Sequence, residues 1–250
     1  MHRCMAWLLC ACYVAPVGAD GDVIATDRPS VTASSTIVPR RALQIEGGLQ
    51  ATDSAGQWTL DLPQLLLRFG LLESTELRLV VPDYFLELPL EGSSIRGFGD
   101  LGLGVSYSLV SSGGFDLAVI PLLGLPTGAR RISSGGYDPA LELPWSRELS
   151  PRWTVAGQLA SFWRTVDGAR NQTSELTLLL ERQLHARWNI FVEYAADVPQ
   201  HGGASELLHL GTTYKPSPHQ QIDLHVGVGL THAAPTSFVG IGYSYLCPTH

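Results

Sequence analysis

The chain has 250 residues, enough for one large all-β domain or two ordinary ones, and its charged residues make up 16% against roughly 25% in soluble domains. Sixteen basic residues against 23 acidic ones give a formal charge of -7, and Lys215 is the only lysine. No basic cluster is present to track a phosphate backbone, which excludes nucleic acid as a partner.

The first 19 residues have the layout of a secretory signal: His2 and Arg3, an apolar run from Met5 to about Val14, then Val17, Gly18 and Ala19 before Asp20. That run is too short to span a bilayer as a helix. A lipoprotein signal built on Cys12 is the second reading. Cleavage after Ala19 leaves Cys247 as the only cysteine, so no intramolecular disulfide is expected. Residues 20–41 then form an N-terminal segment without alternation, expected to lie in the lumen or on the periplasmic side as a plug.

From residue 42 onward the apolar period is two. ALQIEGGLQ (42–50) sets Leu43, Ile45 and Leu49 on one side, WTLDLPQLLLRF (58–69) follows less cleanly, and ELRLVV (76–81) resumes the pattern. In LGLGVSYSL (101–109) leucine, valine and tyrosine alternate with glycine and serine. FDLAVIPLL (115–123), LELPWS (141–146), WTVAGQLASFW (153–163), SELTLLLE (174–181) and WNIFVEY (188–194) repeat it. LLHLGTTY (207–214), QIDLHVGVGL (221–230) and SFVGIGYSY (237–245) close the chain, with 247–250 left as a tail. Successive strand side chains point to opposite faces, so each segment has one apolar and one polar or bare face. About twelve strands are expected over 42–246, and no apolar run of about 20 residues follows the signal.

The connections also sort by parity. Those after even strands are short, such as VSSGG (110–114), whereas PDYFLELPLEGSSIRGFG (82–99) and PTGARRISSGGYD (126–138) follow odd ones. Aromatic residues gather at strand ends, among them Trp58, Tyr107, Trp153, Trp188 and Tyr214. Short turns on one side, longer loops on the other and aromatic belts are expected of an all-β transmembrane antiparallel up-and-down β-barrel of about 12 strands. An even count puts both termini in the periplasm. Pro63, Pro82, Pro121 and Pro144 lie in or beside these segments and are expected at bulges or strand ends, because proline cannot donate to a ladder.

TDRPSVTASSTIVPRRALQIEGG (26–48), LLLRFGLLESTELRL (65–79), GFGDLGLGVSYSL (97–109), LPTG (125–128), HQQIDLHVGVGL (219–230) and FVGIGYSY (238–245) resemble the bacterial outer-membrane protein family named for the meta-pathway of phenol degradation. The resemblance covers nearly the whole chain after the signal. It departs at the terminal LCPTH, where a strand aromatic is usual. It implies an outer-membrane barrel, inserted by the outer-membrane assembly machinery among membrane lipid, with an uptake role for small hydrophobic or aromatic solutes. It supplies no catalytic residue.

With the apolar face outward, the opposite face directs Glu46, Arg68, Glu76, Arg78, Asp100, Glu142, Glu175, Glu181, Glu193, His209, Asp223 and His225 toward the lumen. Polar walls and charged rings set selectivity in pores, but the same residues could simply pair to fill the interior. Asp27, Arg28 and Pro29 form the motif nearest the start of the barrel, expected to anchor the N-terminal segment through a salt-bridged turn. A lipid hydrolase would need a nucleophile beside a base; Ser106 or Ser108 with His209 or His225 is conceivable, but no motif supports it. The histidines show no metal-ligand spacing, and neither metal nor cofactor is expected. The expected function is a channel or transporter, with a plugged structural barrel as the alternative.

Overall fold

The computed structural model describes residues 23–247, so the signal (1–19) and the last three residues lie outside the described part. Fifteen strands form one antiparallel sheet: β1 (Leu43–Ser54), β2 (Gln57–Leu62), β3 (Leu66–Leu72), β4 (Thr75–Val80), β5 (Tyr84–Leu88), β6 (Ile95–Phe98), β7 (Leu101–Ser112) and β8 (Phe115–Leu125), followed by β9 (Asp138–Ser150), β10 (Trp153–Val166), β11 (Ala169–His185), β12 (Trp188–Pro199), β13 (Ser205–Ser217), β14 (Gln220–Gly229) and β15 (Ser237–Cys247). β1 pairs with β15 from Leu43↔Cys247 to Asp53↔Ser237, which closes the sheet into a barrel. Cys247, expected in a tail, is therefore the last residue of the closing strand.

The fifteen strands make twelve staves, because β2–β3, β4–β5 and β6–β7 are each one stave interrupted once. The interruptions fall side by side. Leu62↔Tyr84 and Leu66↔Val80 flank residues 63–65 and 81–83, and Tyr84↔Phe98 and Val80↔Gly102 flank residues 99–101. Pro63 and Pro82 remove ladder donors at this level. The remaining groups find substitutes: Gly48 N donates to Pro63 O (2.6 Å), Val81 N to Leu65 O (2.9 Å), Gly99 N to Asp83 O (2.8 Å) and Leu65 N to Asp83 Oδ1 (3.2 Å). The wall is thus locally irregular yet hydrogen-bonded, as a buried backbone requires.

Each interruption also reverses which residues point inward. Arg68 is the partner of Gln44 and faces the interior with it, whereas above the break Asp61, the partner of Gln50, takes the inward place. The odd position is now inside. Leu60 and Leu62 face out above the break, Leu67 and Phe69 below it. The long connection read over 82–99 is corrected by β5 and β6: the reversal at 81–83 breaks the alternation and disguises a strand continuation as a loop.

Pro121 and Pro144 are a second correction. Both sit inside strands, with no change of register: β7–β8 pairing runs in one register from Gly104↔Leu122 to Tyr107↔Val119, and β8–β9 from Leu117↔Trp145 to Ile120↔Glu142. The ladder simply lacks pairs there. Register shifts occur instead near the turns, at Gly70/Leu72, Ser108/Val110, Trp153/Thr154, Gln183/His185 and Tyr214/Ser217.

All five connections at the end holding Leu43 and Cys247 are two-residue turns: 73–74, 113–114, 151–152, 186–187 and 218–219. At the opposite end 126–137, 230–236, 89–94 and 200–204 are longer, while 55–56 and 167–168 are tight turns with both residues at positive φ, the geometry that matches strand twist in a hairpin. The outer surface is apolar. Leu103 is 46% exposed and Val226 45%, in a band shared with Leu178, Leu210, Leu224 and Ile241. Tyr107, Trp153, Trp188, Tyr214 and Tyr243 are exposed toward the turn end. Burying such a band in lipid satisfies it; water would not.

Leu103→Arg or Val226→Arg should therefore lower the stability of the inserted barrel by roughly 2–4 kcal/mol, the cost of a charge at mid-bilayer on the lipid face, read as a lowered urea midpoint of folding into lipid vesicles. Gly104, on the inward face of β7, will not accept a serine freely. A β-carbon there meets the Leu122 side chain and lies 3.1 Å from Pro121 O.

Candidate functional site

The inner wall is polar and almost fully buried: Gln44, Glu46, Arg68, Glu76, Arg78, Gln158, Thr177, Glu193, His209, Gln221, Asp223 and His225 all lie below 5% exposure. What buries them is the N-terminal segment. Residues 24–38 run across the interior, and their backbone hydrogen-bonds inward-facing side chains from seven strands. Asp27 N and Arg28 N donate to Glu46 Oε2 (3.0 and 3.1 Å), Val31 N and Thr32 N to the two oxygens of Glu193 (2.9 and 2.8 Å), Ala33 N to Gln158 Oε1 (3.0 Å) and Val38 N to Glu76 Oε2 (2.7 Å). Its carbonyls accept in turn. Arg68 Nη1 and Nη2 donate to Ala25 O and Thr36 O (2.8 and 2.7 Å), Gln221 Nε2 to Arg28 O (3.0 Å) and Lys215 Nζ to Ile24 O (2.9 Å).

Arg68 is the centre of the charge network. It contacts Glu76 (2.8 Å), Glu46 (3.2 Å) and Asp27 (3.2 Å), and its side chain is wholly buried. Arg78 bonds Glu76 (3.0 Å) and Asp27. Arg28 lies along the neighbouring stretch of wall, donating to Gln64 Oε1 (2.6 Å) and pairing with Asp223 of β14 (3.3 Å). Its guanidinium lies over Gly48 and Gly242, where any β-carbon would collide with it. Those two glycines are cross-strand partners, so together they leave a seat for one arginine. Pro29 follows and lines both interior cavities.

A second cluster lies on β12, β13 and β14. Glu193 accepts from His209 Nδ1 (2.8 Å), and His209 Nε2 contacts His225 Nδ1 (3.0 Å). Phe191 and Phe238 pack on the imidazoles with ring centroids 5.1 and 5.2 Å from His209. Ser106 Oγ has no hydrogen-bond partner, and the two imidazoles bond Glu193 and each other, so no serine–histidine pair forms among the described residues.

The segment divides the interior into two cavities. One of about 610 Å³ opens toward the long-loop end and is lined by Asp61, Asp83, Glu142, Glu175, Asp197 and His225, among others. The other, about 210 Å³, lies toward the turn end beside Glu181, Asn189 and Lys215. Arg28, Pro29, Ser30 and Ala33 line both. Asp100 joins neither. It sits in the interruption before β7 and accepts from Gly128 N (2.8 Å) and Ser134 N (3.1 Å), holding the 126–137 loop.

Sequence reasoning did not single out Gln44, Gln64, Gln158, Gln221, Thr32 or the glycine seat. The glutamines were accessible in principle as inward positions of alternating strands; Gln64, in the break, was not. Arg68→Met leaves Glu46, Glu76 and Asp27 short of a shared buried cation, which should cost about 3–5 kcal/mol, read as a lower urea midpoint and a lower temperature for loss of the compact electrophoretic form.

Comparison with curated protein sequences finds no match. Among solved structures, the COG4313 outer membrane channel from Pseudomonas putida F1 superposes with a TM-score of 0.63 at 14% identity, covering 85% of this chain and 97% of that one. NanC porin gives 0.58 at 10% identity, covering 81% and 98%, and KdgM porin 0.58 at 12%, covering 83% and 99%. At such identities the likeness is one of fold. The sequence itself matches the family described as "Putative MetA-pathway of phenol degradation" over residues 26–246, and the chain belongs to that family.

Proposed function

We propose that the protein is an outer-membrane channel for small hydrophobic or aromatic solutes, held closed by its own N-terminal segment. The observation that carries this reading is the septum. Arg28, Pro29, Ser30 and Ala33 line both a cavity facing the long loops and one facing the turns, and so stand between them. A barrel built purely as a scaffold gains nothing from two chambers with one thin partition. Porin-type neighbours support the channel reading, and the solute class follows from the family's description and from the apolar residues Phe162, Leu122, Leu207 and Phe238 in the outer cavity.

In this reading the exported chain is inserted by the outer-membrane assembly machinery, with the turns in the periplasm and the long loops outside, as in other barrels of this class. Passage requires the septum to shift. The hydrogen bonds from Glu46, Glu76 and Glu193 hold it in place, and each charge-assisted bond is stronger than a neutral one. The closed state is therefore the resting state.

Ser35 Oγ lies 2.9 Å from Ser146 Oγ, which joins the segment to β9. In the chain from Asp20 with Cys247→Ser, the pair Ser35→Cys and Ser146→Cys can be oxidised or bridged by a short bifunctional reagent. Planar-bilayer recordings should show openings in the reduced protein, silence after cross-linking, and recovery on reduction of the disulfide. Equal currents before and after cross-linking would mean the segment does not gate. A reduced protein that never conducts and passes no solute into liposomes would leave the structural barrel.

A further inference from the structure

We propose that the outer cavity is a binding site for a small organic cation with an apolar, aromatic body; the proposal rests on the channel reading only for how such a solute arrives and leaves. The charge of the cavity is the first observation. Asp61, Asp83, Glu142, Glu175 and Asp197 line it, and among the described residues none of the five has an ion-pair partner in direct contact. Arg28 is paired with Asp223 and Arg78 with Glu76 and Asp27, so the fields of these two, with that of Arg164 near Asp197, offset the five carboxylates only in part. A cleft lined by one sign of charge with low-dielectric walls concentrates counter-ions of the other sign.

The arrangement is graded along the wall. Glu142, Ala160, Glu175 and Asp197 are successive cross-strand partners on β9, β10, β11 and β12, so three carboxylates stand in one row with a small side chain between the first two. Adjacent strands are about 4.8 Å apart. The row is thus spread over more than one ion's diameter, and among the described residues no three acidic or imidazole groups converge as ligands of one metal ion. An extended cation fits it better than a point charge.

The second observation is independent of the carboxylates. His225 is 4% exposed and lines the same cavity, and its Nε2, over Gly240, has no hydrogen-bond partner. In the tautomers with each imidazole proton on Nδ1, His209 donates to Glu193 and His225 donates to His209 Nε2. His225 Nε2 is then a bare acceptor that lacks a donor. A buried unsatisfied acceptor costs free energy until a donor reaches it, and an ammonium group carries three. Phe162, which already carries the Arg164 guanidinium 5.3 Å from its ring centroid, and Phe238, which packs on both imidazoles, border the same space as apolar surface for an aromatic body. About 610 Å³ is the scale of a small-molecule pocket.

The test uses three probes of nearly one shape: 2-phenylethylammonium, 2-phenylethanol and phenylacetate. Binding is measured by calorimetry on the detergent-solubilised chain cross-linked through Ser35→Cys and Ser146→Cys, so that no passage is needed. The ammonium should bind at least about tenfold more tightly than the alcohol or the carboxylate. Glu142→Gln, Glu175→Gln and Asp197→Asn together should bring it within about twofold of the alcohol, and if that triple variant does not insert, Glu175→Gln alone should weaken the ammonium selectively. Equal binding of the three probes, or tighter phenylacetate, overturns the proposal while leaving the channel intact. A cross-linked barrel that selects the ammonium, beside a reduced barrel that never conducts, supports the site and overturns the channel.

Discussion

The inward-facing charges around the N-terminal segment sit where water is scarce, and the wall alone cannot pair them. Glu46, Glu76 and Glu193 are fully buried, and a buried carboxylate needs several donors to replace its hydration. Arg68, Arg78 and His209 supply part. The remainder are the backbone N–H groups of Asp27, Arg28, Val31, Thr32 and Val38. The N-terminal segment therefore acts as the core of the barrel. A strand or helix would have consumed those N–H groups internally; an irregular segment leaves them free for the wall.

The aligned interruptions of three staves extend the same logic to the upper half. By reversing the inward parity they give the two ends of one barrel different linings: Arg68 and Arg78 face the interior below the breaks, Asp61 above them. Asp83, within the break, joins Asp61 on the cavity wall. At the septum the arginines are paired with acidic residues, whereas the cavity above it is lined by carboxylates outside those pairs. The wall stays sealed at the breaks because backbone carbonyls and Asp83 replace the missing ladder partners.

The barrel itself was legible because its determinants are local. Residues 221–230 alternate without exception, and β14 pairs both neighbours in single registers along that stretch. Where the period breaks, legibility fails for an identifiable reason: WTLDLPQLLLRF looked indistinct because Pro63 and Gln64 reverse its faces midway, and PDYFLELPLEGSSIRGFG was read as a loop because the same reversal recurs at Pro82 and Gly99. The candidate site was legible only as a set of inward residues. That Glu193 would bind the backbone of Val31 and Thr32, 162 and 161 residues away in sequence, has no local signature, and neither has the seat that Gly48 and Gly242 form for Arg28. Asp100 shows the converse. Its flanking alternation suggests an inward side chain, but the break before β7 turns it to the 126–137 loop.

Asp27 and Arg28 carry the argument from packing to gating. They are adjacent and opposite in charge, so the segment enters the interior without adding net charge, and each then completes a pair that the wall leaves unfinished: Asp27 with Arg68 and Arg78, Arg28 with Asp223. Withdrawing the segment breaks these pairs together with the backbone bonds to three glutamates. Uncompensated buried charges are costly, so the barrel has no low-energy empty state until water or a solute supplies the lost partners. In the proposed gating, segment in and segment out with the wall solvated would be two arrangements separated by concerted exchange of many bonds. That is the condition for a discrete switch in place of gradual loosening, since a packed, charge-paired interior is bistable where a soft one would deform continuously.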